Sequence, residues 1–333
     1  MIIVLLFLFS TLDSAYASQT QKISSIKTIG IPFRDIGHFV KIKDKIYTPV
    51  NSTSAGMQDQ IIAYDIKRDK FEVIYKCATT KKVINGFNYD NGNFVWAESD
   101  EDGGNPKVVV YNLKTHISKV VYSDTGVRLI LLPDIYKDQV SLLIADKQDN
   151  VYCALINKNT NKVKLLSKIN TYGTYNFEVS AREGKLMWTD SKNDSDYGYF
   201  YLYDFKTGLI KKVKSPDFYV GYGRFSGNYA IGMTFLDHRV WNTGKLGYIN
   251  LKNQKFKYLT QTPVDRSDIK DSIVAYGIQN RIYYYDINSN KKAEIMKYSK
   301  NPVYSVQFAE DGTLMVGSYK KDGFMQIELI TFK

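Results

Sequence analysis

Cysteine is almost missing from the chain: Cys77 and Cys153 are the only two among 333 residues. Two thiols cannot build a disulfide framework or a thiolate metal cluster, so the fold must be held by its core. Histidine is as scarce, with His38, His116 and His238 alone, and neither His-x-x-x-His nor Cys-x-x-Cys spacing occurs. There is no Gly-x-Ser-x-Gly elbow for a serine hydrolase and no Gly-x-x-x-x-Gly-Lys loop for a nucleotide phosphate. No stretch sustains a helical period, and only seven prolines interrupt the chain. No Lys or Arg precedes the apolar run at the start.

What is present points to strands. The chain is 44% hydrophobic, enough for a buried core, and 27 Tyr join Val, Ile and Phe in short runs. Met1 to Phe9 is wholly apolar, and Ala15-Tyr16-Ala17 supplies a small-x-small cleavage pattern before Ser18. The expectation is a signal peptide over 1–17 and one domain over 18–333, in a secreted or cell-envelope protein. The run is too short for a stable membrane span. No Cys follows it, which argues against a lipoprotein. Lys and Arg exceed the acids by 45 to 34, and loss of Asp13 with the leader takes the net charge from +11 to +12. That balance suits an anionic partner, a cell-envelope polymer or a protein, while the scatter of the basic residues along hairpins argues against nucleic acid.

A short signature recurs: an apolar pair, then Asp or Asn, an apolar residue, and Lys or Asn before a turn. It reads Ala63-Tyr64-Asp65-Ile66-Lys67, Val110-Tyr111-Asn112-Leu113-Lys114, Leu155-Ile156-Asn157, Leu202-Tyr203-Asp204-Phe205-Lys206, Tyr248-Ile249-Asn250-Leu251-Lys252 and Tyr284-Tyr285-Asp286-Ile287-Asn288. A degenerate copy, Leu329-Ile330-Thr331-Phe332-Lys333, ends the chain. The anchors 65, 112, 157, 204, 250, 286 and 331 lie 47, 45, 47, 46, 36 and 45 residues apart. A period in the mid-forties is that of a four-stranded propeller blade. In the second period the four strands read as 83–89, 93–98, 107–111 and 117–122, and Asp90-Asn91-Gly92 forms a hairpin turn.

The last period runs out after three strands, and the segment 23–31, left over before the first period, alternates like a strand. It can fill the vacancy, joining first blade to last and protecting edges otherwise open to aggregation. The fold class expected is therefore all-β, a seven-bladed β-propeller of four-stranded antiparallel blades closed by the N-terminal strand joining the last blade. Six blades with a stray hairpin is the alternative, raised by the 36-residue interval. The segment from Phe87 to Pro106, with Asp90-Asn91-Gly92 and Trp96-Ala97-Glu98-Ser99-Asp100, followed by the strand 107–112, resembles the WD-like repeat of TolB-type propellers. That repeat also occurs in the propeller domains of prolyl oligopeptidases. The segment from Glu183 to Ser191 is a looser copy. This resemblance implies a shape shared by scaffolds, peptidase gates and a few lyases, and no single task.

Long connections fall between fourth and next first strands and between second and third strands, which share one face of a propeller. Binding residues are expected there. Leu236-Asp237-His238-Arg239-Val240-Trp241 is the richest such loop, and Arg34, His38, Arg224 and Arg266 are placed at the same mouth of the pore. Trp96 and Trp188 take matching positions and read as packing between blades, and Glu98 and Asp190 two residues later either face the channel or cap the following loop. The acidic turns 99–103 and 193–196 lack the ligand spacing of an EF-hand, so neither metal nor cofactor is expected. The leading function is a non-enzymatic, monomeric binding propeller. The rival is a lyase of acidic glycans working by β-elimination at the pore mouth with His38, His238 and the arginines.

Overall fold

The recurrent Asp or Asn is a turn cap. A computed structural model describes residues 23–53, 57–170, 178–191, 197–236, 243–298 and 303–332. In it Asn112 Oδ1 accepts the backbone N–H of Lys114 and Thr115 at 3.1 and 2.9 Å, and Asp204 Oδ1 accepts those of Lys206 and Thr207 at 2.9 and 2.8 Å. Asp65, Asn157 and Asn250 do the same in their own repeats, and Asp286 accepts the Asn288 N–H and the Ser289 hydroxyl. Four residues on, the chain leaves each turn in the left-handed region, at Asp69, His116, Asn161, Gly208, Gln254 and Asn290. A side-chain acceptor that captures two N–H groups fixes where a strand ends, and so sets the period. The backbone N–H of Arg68 and of Thr207 are the main reasons the Asp65 and Asp204 carboxyls titrate below the usual range. Asn112→Ala is expected to cost about 1 kcal/mol of unfolding free energy, read from urea midpoints.

The first strand, β1 (Ile23–Ile31), precedes the repeats. Blade 1 is β2 (Val40–Ile42), β3 (Lys45–Asn51), β4 (Gln58–Asp65) and β5 (Lys70–Lys76). Blade 2 is β6 (Lys82–Asp90), β7 (Asn93–Asp100), β8 (Lys107–Asn112) and β9 (Ile117–Ser123). Blade 3 is β10 (Val127–Tyr136), β11 (Gln139–Asp146), β12 (Val151–Asn157) and β13 (Val163–Ile169). Blade 4 is β14 (Ser180–Arg182), β15 (Lys185–Ser191), β16 (Gly198–Asp204) and β17 (Ile210–Lys214). Blade 5 is β18 (Tyr219–Ser226), β19 (Tyr229–Phe235), β20 (Lys245–Asn250) and β21 (Phe256–Tyr258). Blade 6 is β22 (Arg266–Lys270), β23 (Ile273–Ile278), β24 (Arg281–Asp286) and β25 (Lys291–Lys297). Blade 7 is β26 (Val303–Phe308), β27 (Leu314–Tyr319) and β28 (Met325–Phe332), with β1 as its outer strand.

Seven antiparallel four-stranded sheets thus form the ring, and the short sixth interval is a complete blade with tighter loops. β1 runs antiparallel to β28 from Ile23 opposite Phe332 to Ile31 opposite Met325. Each gap between neighbouring blades holds its own apolar cluster, including one that joins blade 7 to blade 1 through Ile29, Ile31, Phe39, Ile46, Met325 and Ile327. A core divided this way is continuous only if the ring is closed. Trp96 and Trp188 are fully buried in two of these gaps, packed with residues of the preceding blade, as their sequence position suggested.

Glu98 and Asp190 do not face the channel. Glu98, 1% exposed, accepts the Tyr75 hydroxyl at 2.6 Å and pairs with Lys107 at 2.7 Å. Asp190 accepts the backbone and side-chain N–H groups of Asn170 at 2.9–3.1 Å. Both tie the exit of the preceding blade to the second strand of their own. Cys77 and Cys153 are buried, unpaired and in different clusters, and burial pushes the Cys77 thiol up to about 12. Among the described residues no helix is long and apolar enough to cross a membrane.

Candidate binding surfaces at the channel and the long-loop rim

The first strand of each blade lines the central channel, and one position on these strands is polar in five successive blades. Asn88, Asp134, Ser180, Arg224 and Asp268 each stand two residues before the inner hairpin turn. Several of them stitch blade to blade. Asn88 donates to Pro133 O at 2.8 Å, Asp134 accepts the Ala181 N–H at 2.7 Å, and Asp268 accepts the Phe308 N–H at 2.9 Å. Gln307 closes the series by donating to Phe39 O. Each bond satisfies an inner-strand backbone group that has no further strand to pair with. Burial holds the Asp134 carboxyl above the usual range.

The channel encloses a cavity of about 370 Å³. Its long-loop end is lined by His38, Glu178, Tyr222, Arg224, Asp265, Arg266 and Tyr304. A bulge in β18 between Gly221 and Arg224 shapes this end, and Tyr222 within it sits at φ 54°. A non-glycine residue held there is strained, and such bulges re-aim the side chains beside them. Arg224 is thereby turned onto Glu178, with Nη2 to Oε2 at 2.7 Å. Tyr304 donates to Ile36 O at 2.6 Å. Arg266 donates to Asp265 O at 2.8 Å and has no carboxylate partner among the described residues. Burial, then the charges of Arg224 and Arg266, push His38 down to about 4. His38 is therefore neutral through the physiological range, a hydrogen-bonding group and no cation.

Over the whole cavity seven carboxylates face five Lys and Arg side chains, so the channel is not a basic funnel. At the tight-turn end Glu310, raised by burial and by Asp90, neighbours Lys270 and the Lys41–Asp311 pair. The surplus positive charge sits elsewhere. The outer strands β1, β5, β9, β13, β17, β21 and β25 carry thirteen lysines against only Glu72 and Glu294. Lysine on exposed edges keeps neighbouring molecules from pairing there.

His38, Arg224 and Arg266 thus meet at one cavity. Arg34 lies apart, exposed, with its guanidinium 5.5 Å from the Phe324 ring centre. His238, Arg239 and Trp241 fall outside the described residues, as does the acidic turn 193–196. His116 closes a tight turn, its Nδ1 2.8 Å from the Tyr111 hydroxyl. The turn 99–103 is occupied with its own bonds, Asp100 pairing with Lys82 at 2.6 Å and Asp102 accepting the Gly104 N–H at 2.8 Å. No group of three or more His, Cys, Asp or Glu suited to a metal occurs among the described residues. Glu178, Tyr222, Asp268 and Tyr304 were not singled out from the sequence. The near-constant spacing of 88, 134, 180, 224 and 268, at 46, 46, 44 and 44 residues, was the available signal.

No protein-family model and no curated protein matches the sequence. Solved structures do. The propeller domain of the Trilobed protease from Pyrococcus furiosus superposes with a TM-score of 0.64 at 10% identity, over 90% of this chain and 96% of that one. An oligogalacturonate lyase from Vibrio parahaemolyticus gives 0.62 at 9% identity, over 93% and 97%. TolB from Acinetobacter baumannii gives 0.51 at 14% identity, over 86% of this chain, which spans 63% of TolB. The likeness is one of fold. The propeller is shared by proteins of different tasks.

Proposed function

We propose that this propeller is an exported binding module that takes an anionic group of a protein or cell-envelope polymer at the long-loop mouth of its channel. The observation that carries the reading is Arg266, an exposed guanidinium with no carboxylate partner among the described residues, set beside neutral His38 and the tyrosines Tyr222 and Tyr304. A preformed cation beside a neutral imidazole, in a wall of aromatic rings, matches a carboxylate. Arg224, already held by Glu178, fixes the wall of the site. The apolar run and Ala15-Tyr16-Ala17 support export. The eliminase reading has less support, because a histidine titrating at about 4 is a weak proton acceptor at neutral pH.

Calorimetric titration with oligoglucuronate and with oligoglutamate tests this. At least one is expected to bind, and Arg266→Ala is expected to weaken it roughly tenfold, the loss of one charge-assisted contact. The melting temperature should not move. Binding by neither probe, or equal affinity in the variant, would sink the reading. Accumulation of an unsaturated uronate during the titration would favour the eliminase instead.

A further inference from the structure

Away from the channel, exposed apolar side chains occur at the long-loop rim of blades 4 and 5. Tyr197 and Phe218 are 39% and 38% exposed and stack on each other, ring centres 5.7 Å apart and planes within 8°. Leu236 is 70% exposed. The register of β18 with β19 puts Tyr219 opposite Phe235, so Phe218 and Leu236 leave the sheet side by side. The backbone N–H of Gly198 donates to Asp217 O at 2.9 Å, and the Ser191 hydroxyl to Phe218 O at 2.7 Å, which locks the rim of blade 4 to blade 5 beneath the patch. Tyr197 and Phe218 therefore form a stacked pair on locked backbone, with Leu236 next to Phe218 in the strand register.

Cations border it. Lys214 Nζ lies 3.4 Å from the centre of the Tyr197 ring, and Lys212 Nζ lies 3.5 Å from that of Tyr199. Lys245 reaches the Tyr258 ring at 5.7 Å. A lysine held over an aromatic face is ordered before any partner arrives, so less side-chain entropy is lost when it pairs with an acid. The outer strand β17, which carries Lys212 and Lys214, holds no acid at all.

We propose that the blade 4–blade 5 rim is a docking site for an acidic protein segment that buries one large apolar side chain against Tyr197, Phe218 and Leu236 and pairs its carboxylates with Lys212 and Lys214. Charge complementarity selects the acidic class. The branched, highly exposed Leu236 beside two stacked rings selects a protein over a glycan, because an aliphatic knob gains from an apolar anchor and gives a sugar hydroxyl nothing. The site stands independently of the carboxylate site at the channel mouth and adds a second contact on the same face.

Selection from a display library of random short peptides on the full chain tests it. Peptides with an apolar residue flanked by acids are expected to dominate. Their binding should fall roughly tenfold with Phe218→Ser or Leu236→Ser and similarly with Lys214→Glu, while Arg266→Ala leaves it unchanged. All four side chains are surface groups, so melting curves that match the unaltered chain certify each variant. Enrichment of no such class, peptides insensitive to Phe218→Ser and Leu236→Ser, or full displacement of the peptides by oligoglucuronate would each overturn the proposal. A failure here with intact Arg266-dependent binding at the mouth removes the rim site alone.

Discussion

Deleting Ile23–Ile31 is expected to lower the melting temperature by roughly 10 °C or more. The strand lies at the edge of blade 7 and is exposed over its first six residues, so its contribution rests on a few positions. Ile29 and Ile31 are 4% and 1% exposed and belong to the cluster that joins the first and last blades. Burying two isoleucines contributes on the order of 3–6 kcal/mol, and losing the strand also leaves β28 as an open edge. If the truncated chain does not fold, Ile31→Ala serves instead, with an expected cost of about 2–5 kcal/mol. A truncated chain that melts with the intact one would mean that the ring does not need this strand.

Acid should weaken the fold through His38. A histidine whose native pKa lies below its unfolded value near 6.5 binds fewer protons when folded. Its contribution is full above pH 6.5, drains as the pH falls from there to about 4, and is gone below. The span corresponds to at most about 3 kcal/mol. His38→Asn, which keeps a neutral hydrogen-bonding side chain, should lose less stability than the unaltered chain across that window in urea titrations. The comparison isolates His38, because Asp134 and Glu328, both raised by burial, act in the opposite direction in both proteins. Parallel loss of stability in the two would place the acid sensitivity elsewhere.

The blade count was legible because its cause is local. Asp65, Asn112 and their equivalents cap turns within their own hairpins, so every copy of the signature marks the end of a third strand. Thr331 departs from the pattern where the next strand of the blade is β1, distant in sequence and not reached through a hairpin turn. Closure was legible for the same kind of reason, a strand missing at one end and spare at the other. The channel contacts were harder to read, since Asp134, Glu178 and Asp268 act on neighbouring blades more than 30 residues away. Glu98 illustrates the limit. Lys107 stands directly opposite it on β8 of the same blade, but its other partner, Tyr75, depends on how blade 1 leans against blade 2. The rim patch was invisible for a related reason. Tyr197, Phe218 and Leu236 lie in three different segments, and only the pairing of β18 with β19 and the junction of two blades bring them together.

The proposed carboxylate site at the channel mouth is tested most directly by following the His38 ring resonances while glucuronate is added at a series of acid pH values. A bound carboxylate beside Arg266 offsets the two guanidinium charges that help hold His38 near 4, so its pKa should rise towards 6.5 as the ligand saturates. Arg266→Ala should raise it partway without ligand, burial retaining the rest, and should abolish the response. Resonances that stay fixed at every ligand concentration, or a response undiminished in Arg266→Ala, would contradict an anion-binding mouth.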